Sequence, residues 1–239
     1  MFFANFMLTC VEITHIIYMW GDWMEAANPL YKNQGIHVIV SIFTVEKGKT
    51  KVLLIKRKNE PFKNMWALVG GSLYNNENLD FGLQREIMEK TGLKNIETYF
   101  SGIFDDINRS PVMRMLAISY IGIIDNEKVS ILKDTFKTSN AEWFPIELVP
   151  DLAYDHNNIL NSALNSLKSK ILTTNILKSL FPNSFTIPEI QKTYESILNE
   201  KYDRRNFRRK LLNLDLIYDT KTEIKFEGNK PAKLYKFKD

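Results

Sequence analysis

The sequence predicts an α/β protein in two parts. A mixed sheet flanked by helices on both faces comes first, and a small domain of three short helices and a hairpin follows. Three observations carry this. β-rich apolar runs at residues 35–43, 51–56, 98–104 and 113–124 are interleaved with two amphipathic helical stretches. The first of these stretches lies directly after a paired glycine, Gly70-Gly71. The tail from residue 170 onward changes in charge and pattern. The expected divisions are an extension over 1–30, a first domain over 31–168 and a second over 169–239.

At 239 residues, with 44% hydrophobic and 25% charged side chains, the chain is sized for one large or two small globular domains. The single Cys10 excludes an intramolecular disulfide and a cysteine-built metal site, and fits a reducing cytoplasm. The net charge of +4 is unevenly spread. Residues 1–169 hold 17 Lys and Arg against 19 Asp and Glu, whereas residues 170–239 hold 15 against 9. The tail is therefore the part expected to meet a polyanion.

Residues 1–23 are apolar and aromatic without any Lys or Arg, so they lack the basic region of a secretory signal. Glu12 and His15 interrupt them, which argues against a membrane span, and missing basic flanks argue against an interfacial anchor. No membrane partner is expected. The extension reads as a start upstream of Met24 or as an accessory segment packed on the domain.

In order, Gly35–Phe43 and Lys51–Lys56 read as strands joined by the turn EKGK. Arg57 and Lys58 then mark either a solvated strand end or a phosphate contact. Trp66 is either core or a platform for a ligand base. From Gly71 to Leu93 the chain reads GSLYNNENLDFGLQREIMEKTGL. Leu79, Leu83 and Ile87 recur every four residues as a buried helical stripe, and Gly92 stands where a helix end favours a left-handed residue. Glu86 and Glu89, three apart, project from one surface. Carboxylates on a rigid helix beside a glycine turn suit a hard cation such as Mg²⁺.

This spacing resembles the signature of the Nudix superfamily: G, five residues, E, seven residues, then R-E-U-x-E-E-x-G-U with U aliphatic. The chain matches at Gly71, Glu77, Arg85, Glu86, Ile87, Glu89, Gly92 and Leu93, and departs at Lys90, which stands in place of the final glutamate. In family hydrolases that glutamate is usually a principal metal ligand, so Glu86 and Glu89 are left as vestigial catalytic residues and a weak Mg²⁺ site. Unit charges about 4 Å apart at an effective dielectric of about 20 interact by roughly 4 kcal/mol, so replacing an anion with a cation is a large change. Lys90 either neutralises a vestigial acidic face or takes the place of the metal and holds a pyrophosphate uncut. The resemblance implies an α/β/α sandwich, the Nudix fold.

After that helix, DDINRSPVMR is a polar loop holding Arg109 and Arg114, and AEWFP leads into an amphipathic helix with Ile159, Leu160, Ala163, Leu164 and Leu167 on one face. Asp155 or His156 starts it; a histidine there is more often a capping group than a catalyst. The candidate ligand-binding residues are Arg57, Trp66, Gly71 and Arg85 on one side of the chain order. Lys90, Arg109, Arg114 and His156 complete the set.

In the tail, Ile171–Leu180 reads as a short helix ending before Pro182. Thr186 and Glu189 form a capping box, with Phe185 and Ile190 as a hydrophobic staple, and Pro188 is tolerated in the first turn. Asp203 caps a third helix, RRNFRRKLLNL, whose Phe207, Leu211 and Leu214 face inward. A hairpin across Glu227–Lys230 closes the domain. Three helices and a basic hairpin make a winged helix-turn-helix, with the third helix in the major groove and the wing on the backbone. The candidate DNA contacts are Arg204, Arg205, Asn206, Arg208 and Arg209 on the helix, and Lys230 and Lys233 on the wing.

A Nudix domain with an altered box joined to this tail resembles the Nudix-related transcriptional regulators. The likeness rests on FDDINRSPVMR, AEWFPIELVPDLAYDH, FTIPEIQKTYESIL, DRRNFRRKL and PAKLYKF and covers residues 31 to 239. It implies a homodimer acting on a duplex DNA operator, whose Nudix domain senses ADP-ribose, a related nucleotide or a sugar such as arabinose, with little hydrolysis. The alternative is an Mg²⁺-dependent ADP-ribose pyrophosphatase with an accessory winged helix.

Overall fold

The structure, a computed structural model, describes residues 33–225 and 231–238. The N-terminal extension and the wing turn with Lys230 lie outside the described residues.

The first domain runs β1 (Gly35–Glu46), β2 (Lys49–Arg57), β3 (Trp66–Ala67), β4 (Val69–Ser72), α1 (Leu79–Thr91), β5 (Tyr99–Phe104), β6 (Met115–Ile123), β7 (Thr138–Pro145) and α2 (His156–Lys170). The sheet order is β3-β2-β1-β6-β5, with β4 also paired to β1 and β7 to β2. The β1–β6 pair is parallel and the other pairs are antiparallel, which gives the expected mixed sheet. Lys47 and Gly48, both at positive φ, turn β1 tightly into β2.

Successive residues of β1 point to opposite faces, and both faces are buried. Val38, Val40 and Ile42 pack with Leu83 and Ile87 of α1. Ile39 and Phe43 pack with Ile159, Ala163 and Leu167 of α2. The apolar stripe of α1 thus does what its spacing predicts. The Asn78 side chain accepts from Phe81 N at 2.8 Å to cap its start. Gly92, at φ 76°, returns its N–H to Met88 O to close the end.

The second domain contains α3 (Ile187–Leu198), α4 (Arg204–Asn213), β8 (Ile217–Ile224) and β9 (Ala232–Phe237). Its first helix differs from expectation: Ile171–Leu180 is not one helix. α2 extends to Lys170, and a short 3₁₀ turn occupies Ile176–Ser179. The hydroxyls of Thr173 and Thr174 donate back to the carbonyls of Ser169 and Lys170, which closes α2 at this point. The capping box of α3 forms, with the Glu189 carboxylate accepting from Thr186 N at 2.7 Å. Asp203 caps α4 by accepting from Arg205 N and Asn206 N, each at 3.1 Å. Phe185 exchanges both backbone hydrogen bonds with Tyr235 and ties the start of α3 to the hairpin.

One apolar cluster runs from the α2 face of the sheet through Ile171 and Leu177 to Phe185, Tyr194 and Phe207. The Tyr194 hydroxyl donates to Ile171 O at 2.6 Å. Thr50 of β2 and Ser196 of α3 meet hydroxyl to hydroxyl at 2.8 Å, and the Ser179 hydroxyl donates to Ile123 O. No helix among the described residues is long and apolar enough to cross a membrane.

Candidate functional site

β4 carries Gly70 and Gly71 along the edge of α1, and this close approach sets the site. The Gly70 carbonyl accepts from the Lys90 ammonium. The same Nζ lies 3.1 Å from Glu86 Oε2 as an ion pair. Glu86 is 2% exposed and has two further cations. Arg85 Nη1 donates to its Oε1 at 2.6 Å, and Lys137 Nζ lies 3.4 Å from the same oxygen. Lys137 also donates to Glu89 Oε2 at 2.6 Å. Arg85 bonds Glu77 through both Nε and Nη2, donates to Ser72 O and lies 3.9 Å below the Tyr74 ring.

Three carboxylates, Glu77, Glu86 and Glu89, are thereby matched by Arg85, Lys90 and Lys137. Burial works to raise the Glu86 carboxyl, but Lys90, Arg85 and Lys137 outweigh it and hold it below the usual range. Burial also works against Lys90, and there it prevails over Glu86, so the ammonium titrates below its ordinary value. At Lys137 burial is overcome by Glu89 and Glu86, and that ammonium is raised. The donor set does not fit Mg²⁺. Lys90 fills the place of one ligand, and cations engage both Glu86 and Glu89.

A cavity of about 330 Å³ opens beside this network. Of the eight sequence candidates, Arg57, Gly71, Lys90 and His156 line it. Arg57 lies 5.0 Å from the Tyr154 ring, and its Nε donates to Pro61 O. His156 accepts from Leu68 N at Nδ1, 3.1 Å, which leaves the ring proton on Nε2. Burial, with Arg109 nearby, pushes its pKa down to about 3. His37 also lines the cavity and is pushed down to about 4 by burial, Arg109 and Lys90. Both imidazoles are neutral near pH 7, so the charge of the cavity wall comes from Arg57, Lys90 and Lys137 against Glu86.

The other four candidates lie elsewhere. Trp66 packs edge-on against Phe144 at 4.7 Å on the opposite core, because alternation along β3 turns Ala67 rather than Trp66 toward the cavity. Arg85 is consumed by the Glu77 and Glu86 pairs. Arg114 donates to Asp105 O within its own loop. Arg109 forms a two-pronged pair with Asp155, 2.8 and 3.0 Å, and lines a neighbouring cavity. Sequence reasoning missed Lys137, His37, Tyr74 and Tyr154. Lys137 lies 48 residues beyond Glu89 in an otherwise ordinary turn, and no local pattern marks it.

On the second domain, Phe207 and Leu211 anchor α4, while Arg204, Arg205, Asn206, Arg208 and Arg209 are exposed. None of these four arginines forms an ion pair among the described residues. Arg204, Arg208 and Lys233 line a groove of about 540 Å³ between α4, the start of α3 and β9. Lys233 is exposed and lies 3.4 Å from Asp219.

Residues 35–163 match the family model of the NUDIX domain, and residues 177–237 match that of the NrtR DNA-binding winged helix domain. Over 211 residues the chain is 31% identical to the ADPR responsive transcriptional repressor NtrR of Acinetobacter baylyi, covering 87% of this chain and 83% of that one. Over 126 residues it is 34% identical to the ADP-ribose pyrophosphatase of Methanocaldococcus jannaschii, covering 52% of this chain and 72% of the other. The crystal structure of Shewanella oneidensis NrtR complexed with a 27mer DNA aligns with a TM-score of 0.69 at 26% identity, covering 85% of this chain and 93% of that one.

Proposed function

The chain belongs to the Nudix-related transcriptional regulators, and from that membership we propose that it is a ligand-responsive repressor whose operator affinity changes when ADP-ribose, or a related nucleotide, occupies the cavity beside α1. The observation that carries this reading is Lys90. Its ammonium fills the place where the family's hydrolases keep a metal ligand, and it is tied to Glu86 and Gly70. With Lys137 and Arg57 it gives a cavity wall suited to a diphosphate, which favours a phosphorylated effector over a neutral sugar such as arabinose. The likeness to a relative named for ADP-ribose supports the same choice.

Operator contact is assigned to Arg204, Arg205, Asn206, Arg208, Arg209 and Lys233, through a winged helix on which α4 enters the major groove. A homodimer would set two such helices about 34–36 Å apart on a palindromic site, and the cytoplasm is the compartment such a regulator needs. The hydrolase alternative has the 34% likeness to a pyrophosphatase in its favour. The cation-filled box stands against it: Mg²⁺ would have to displace Lys137 and bind without the third carboxylate.

Fluorescence anisotropy of a labelled operator duplex with the full chain tests the proposal. Micromolar ADP-ribose is expected to change operator affinity by roughly 5–150-fold, the usual range of allosteric coupling. Arabinose is expected to leave it unchanged. Robust release of AMP from ADP-ribose, with no effect on DNA binding, would overturn the reading.

A further inference from the structure

The turn between α3 and α4, residues 199–203, sets the direction in which the recognition helix leaves the domain. We propose that Glu195 is a positioning residue for operator reading: it holds this turn through both its backbone and its side chain, and so fixes the angle at which α4 presents its arginines. The inference rests on the assignment of α4 to the major groove and deepens it.

One residue gathers the donors of the whole turn. The Glu195 carbonyl accepts from Asn199 N, and from Glu200 N at 3.2 Å. Its Oε1 accepts from Tyr202 N at 3.0 Å and from the Gln191 amide at 2.9 Å, and its Oε2 accepts from Lys201 at 3.2 Å. The Gln191 amide also donates to Tyr202 O at 2.8 Å, so both backbone groups of Tyr202 are taken by side chains of α3. A turn built this way needs no glycine, because Asn199 supplies the left-handed residue at φ 55°. Immediately beyond it Asp203 caps α4, and the Tyr202 ring lies 5.6 Å from that of Phe207, which anchors α4.

Two features give this clamp a role in reading DNA. Glu195 carries a negative charge in a module whose partner is a polyanion, and a solvated carboxylate there would repel it. Its side chain is 13% exposed, and the N–H groups of Gln191 and Tyr202 hold its carboxyl below the ordinary range, so the ionised acceptor is kept inside the turn. The neighbouring Ser196 meets Thr50 of β2 hydroxyl to hydroxyl, so the clamp is braced on the sheet of the first domain. Charge-assisted bonds on a braced base hold α4 at one angle. Contacts to base edges depend on that angle, whereas attraction to phosphates does not.

The test compares two labelled duplexes with the full chain: one selected by the wild type from a random-sequence pool, and one of the same length and composition in scrambled order. Glu195→Ala is expected to lower the ratio of selected to scrambled affinity at least about tenfold, because misplaced base contacts forfeit discrimination. Affinity for the scrambled duplex is expected to stay within about twofold, since Arg204, Arg205, Arg208 and Arg209 still supply charge. Glu195→Gln keeps an acceptor for Tyr202 N and is expected to restore the ratio to within about threefold of wild type. Loss of both affinities together would make Glu195 a prop for the fold alone and overturn the proposal. A wild-type ratio in Glu195→Ala would overturn it too, as would a Glu195→Gln variant no better than Glu195→Ala. Arg205→Ala and Arg208→Ala variants that keep the wild-type ratio would instead sink the assignment of α4 itself.

Discussion

Gly71 stands where the Glu86 carboxylate needs the space: a methyl group on its α-carbon would fall 2.5 Å from both carboxylate oxygens. The glycine that opens the signature is therefore a steric requirement of the buried glutamate 15 residues later. Gly71→Ala is expected to push Glu86 off Lys90 and Arg85 and to cost roughly 1–3 kcal/mol, as overpacking does. Urea denaturation measures this. A change under about 0.5 kcal/mol would mean that the carboxylate yields freely.

Lys90 decides the chemistry of the box, so its replacement by the family's residue is informative. The wild type is expected to melt at the same temperature in Mg²⁺ and in EDTA. Lys90→Glu combined with Lys137→Ala leaves Glu86, Glu89 and a new carboxylate together, which suits a hard cation. That variant is expected to be less stable in EDTA and to regain melting temperature with millimolar Mg²⁺. Equal Mg²⁺ stabilisation of the wild type would contradict the cation-filled box.

Exposed arginines on one capped helix make a clear expectation for DNA. Where an arginine meets a phosphate, its removal lowers the salt slope by about one. Arg205→Ala and Arg208→Ala are each expected to weaken operator binding at least tenfold in the full chain, without changing its melting temperature. Wild-type affinity in both variants would move the interface away from α4.

His156 gives a pH signature. Its folded pKa, about 3, lies below the ordinary 6.5 because it is buried and near Arg109. Between those values the unfolded chain binds the proton and the folded chain does not, so stability falls as pH drops through this window. At pH 5 the contribution is about 2 kcal/mol, at about 1.4 kcal/mol per pKa unit. His156→Asn retains an acceptor for Leu68 N and is expected to flatten the loss between pH 6.5 and 5. An unchanged slope would assign the acid sensitivity to other groups.

Local pattern made much of this molecule readable. The stripe of α1, its glycine stop, the capping box of Thr186 and Glu189, and the Asp203 cap each depend on residues within about a turn of one another. What escaped depends on residues far apart in the chain. Lys137 reaches Glu89 only because β7 pairs along β2, and Tyr154 acquires meaning only when two cavities close around it. The side on which Trp66 packs is not legible in the sequence, because a two-residue strand is too short to reveal its alternation. The break between Lys170 and Ile176 rests on Thr173 and Thr174 hydroxyls that bond back to Ser169 and Lys170, which the apolar pattern of Ile171–Leu180 does not reveal.

The apolar cluster that continues from Ile39 through Leu167 to Tyr194 and Phe207 leaves no seam between the sensing and DNA-reading parts. Calorimetry of the full chain is expected to show one heat-absorption peak whose van't Hoff and calorimetric enthalpies agree, rather than two. The same continuity bears on inheritance. A recombination that exchanged the tail for one of another specificity would have to carry the buried face of α2 with it, or leave Leu177 and Tyr194 facing a strange surface. New operators are thus reached more easily by changing the exposed side chains of α4 one at a time, because none of those substitutions disturbs what the two halves hold in common.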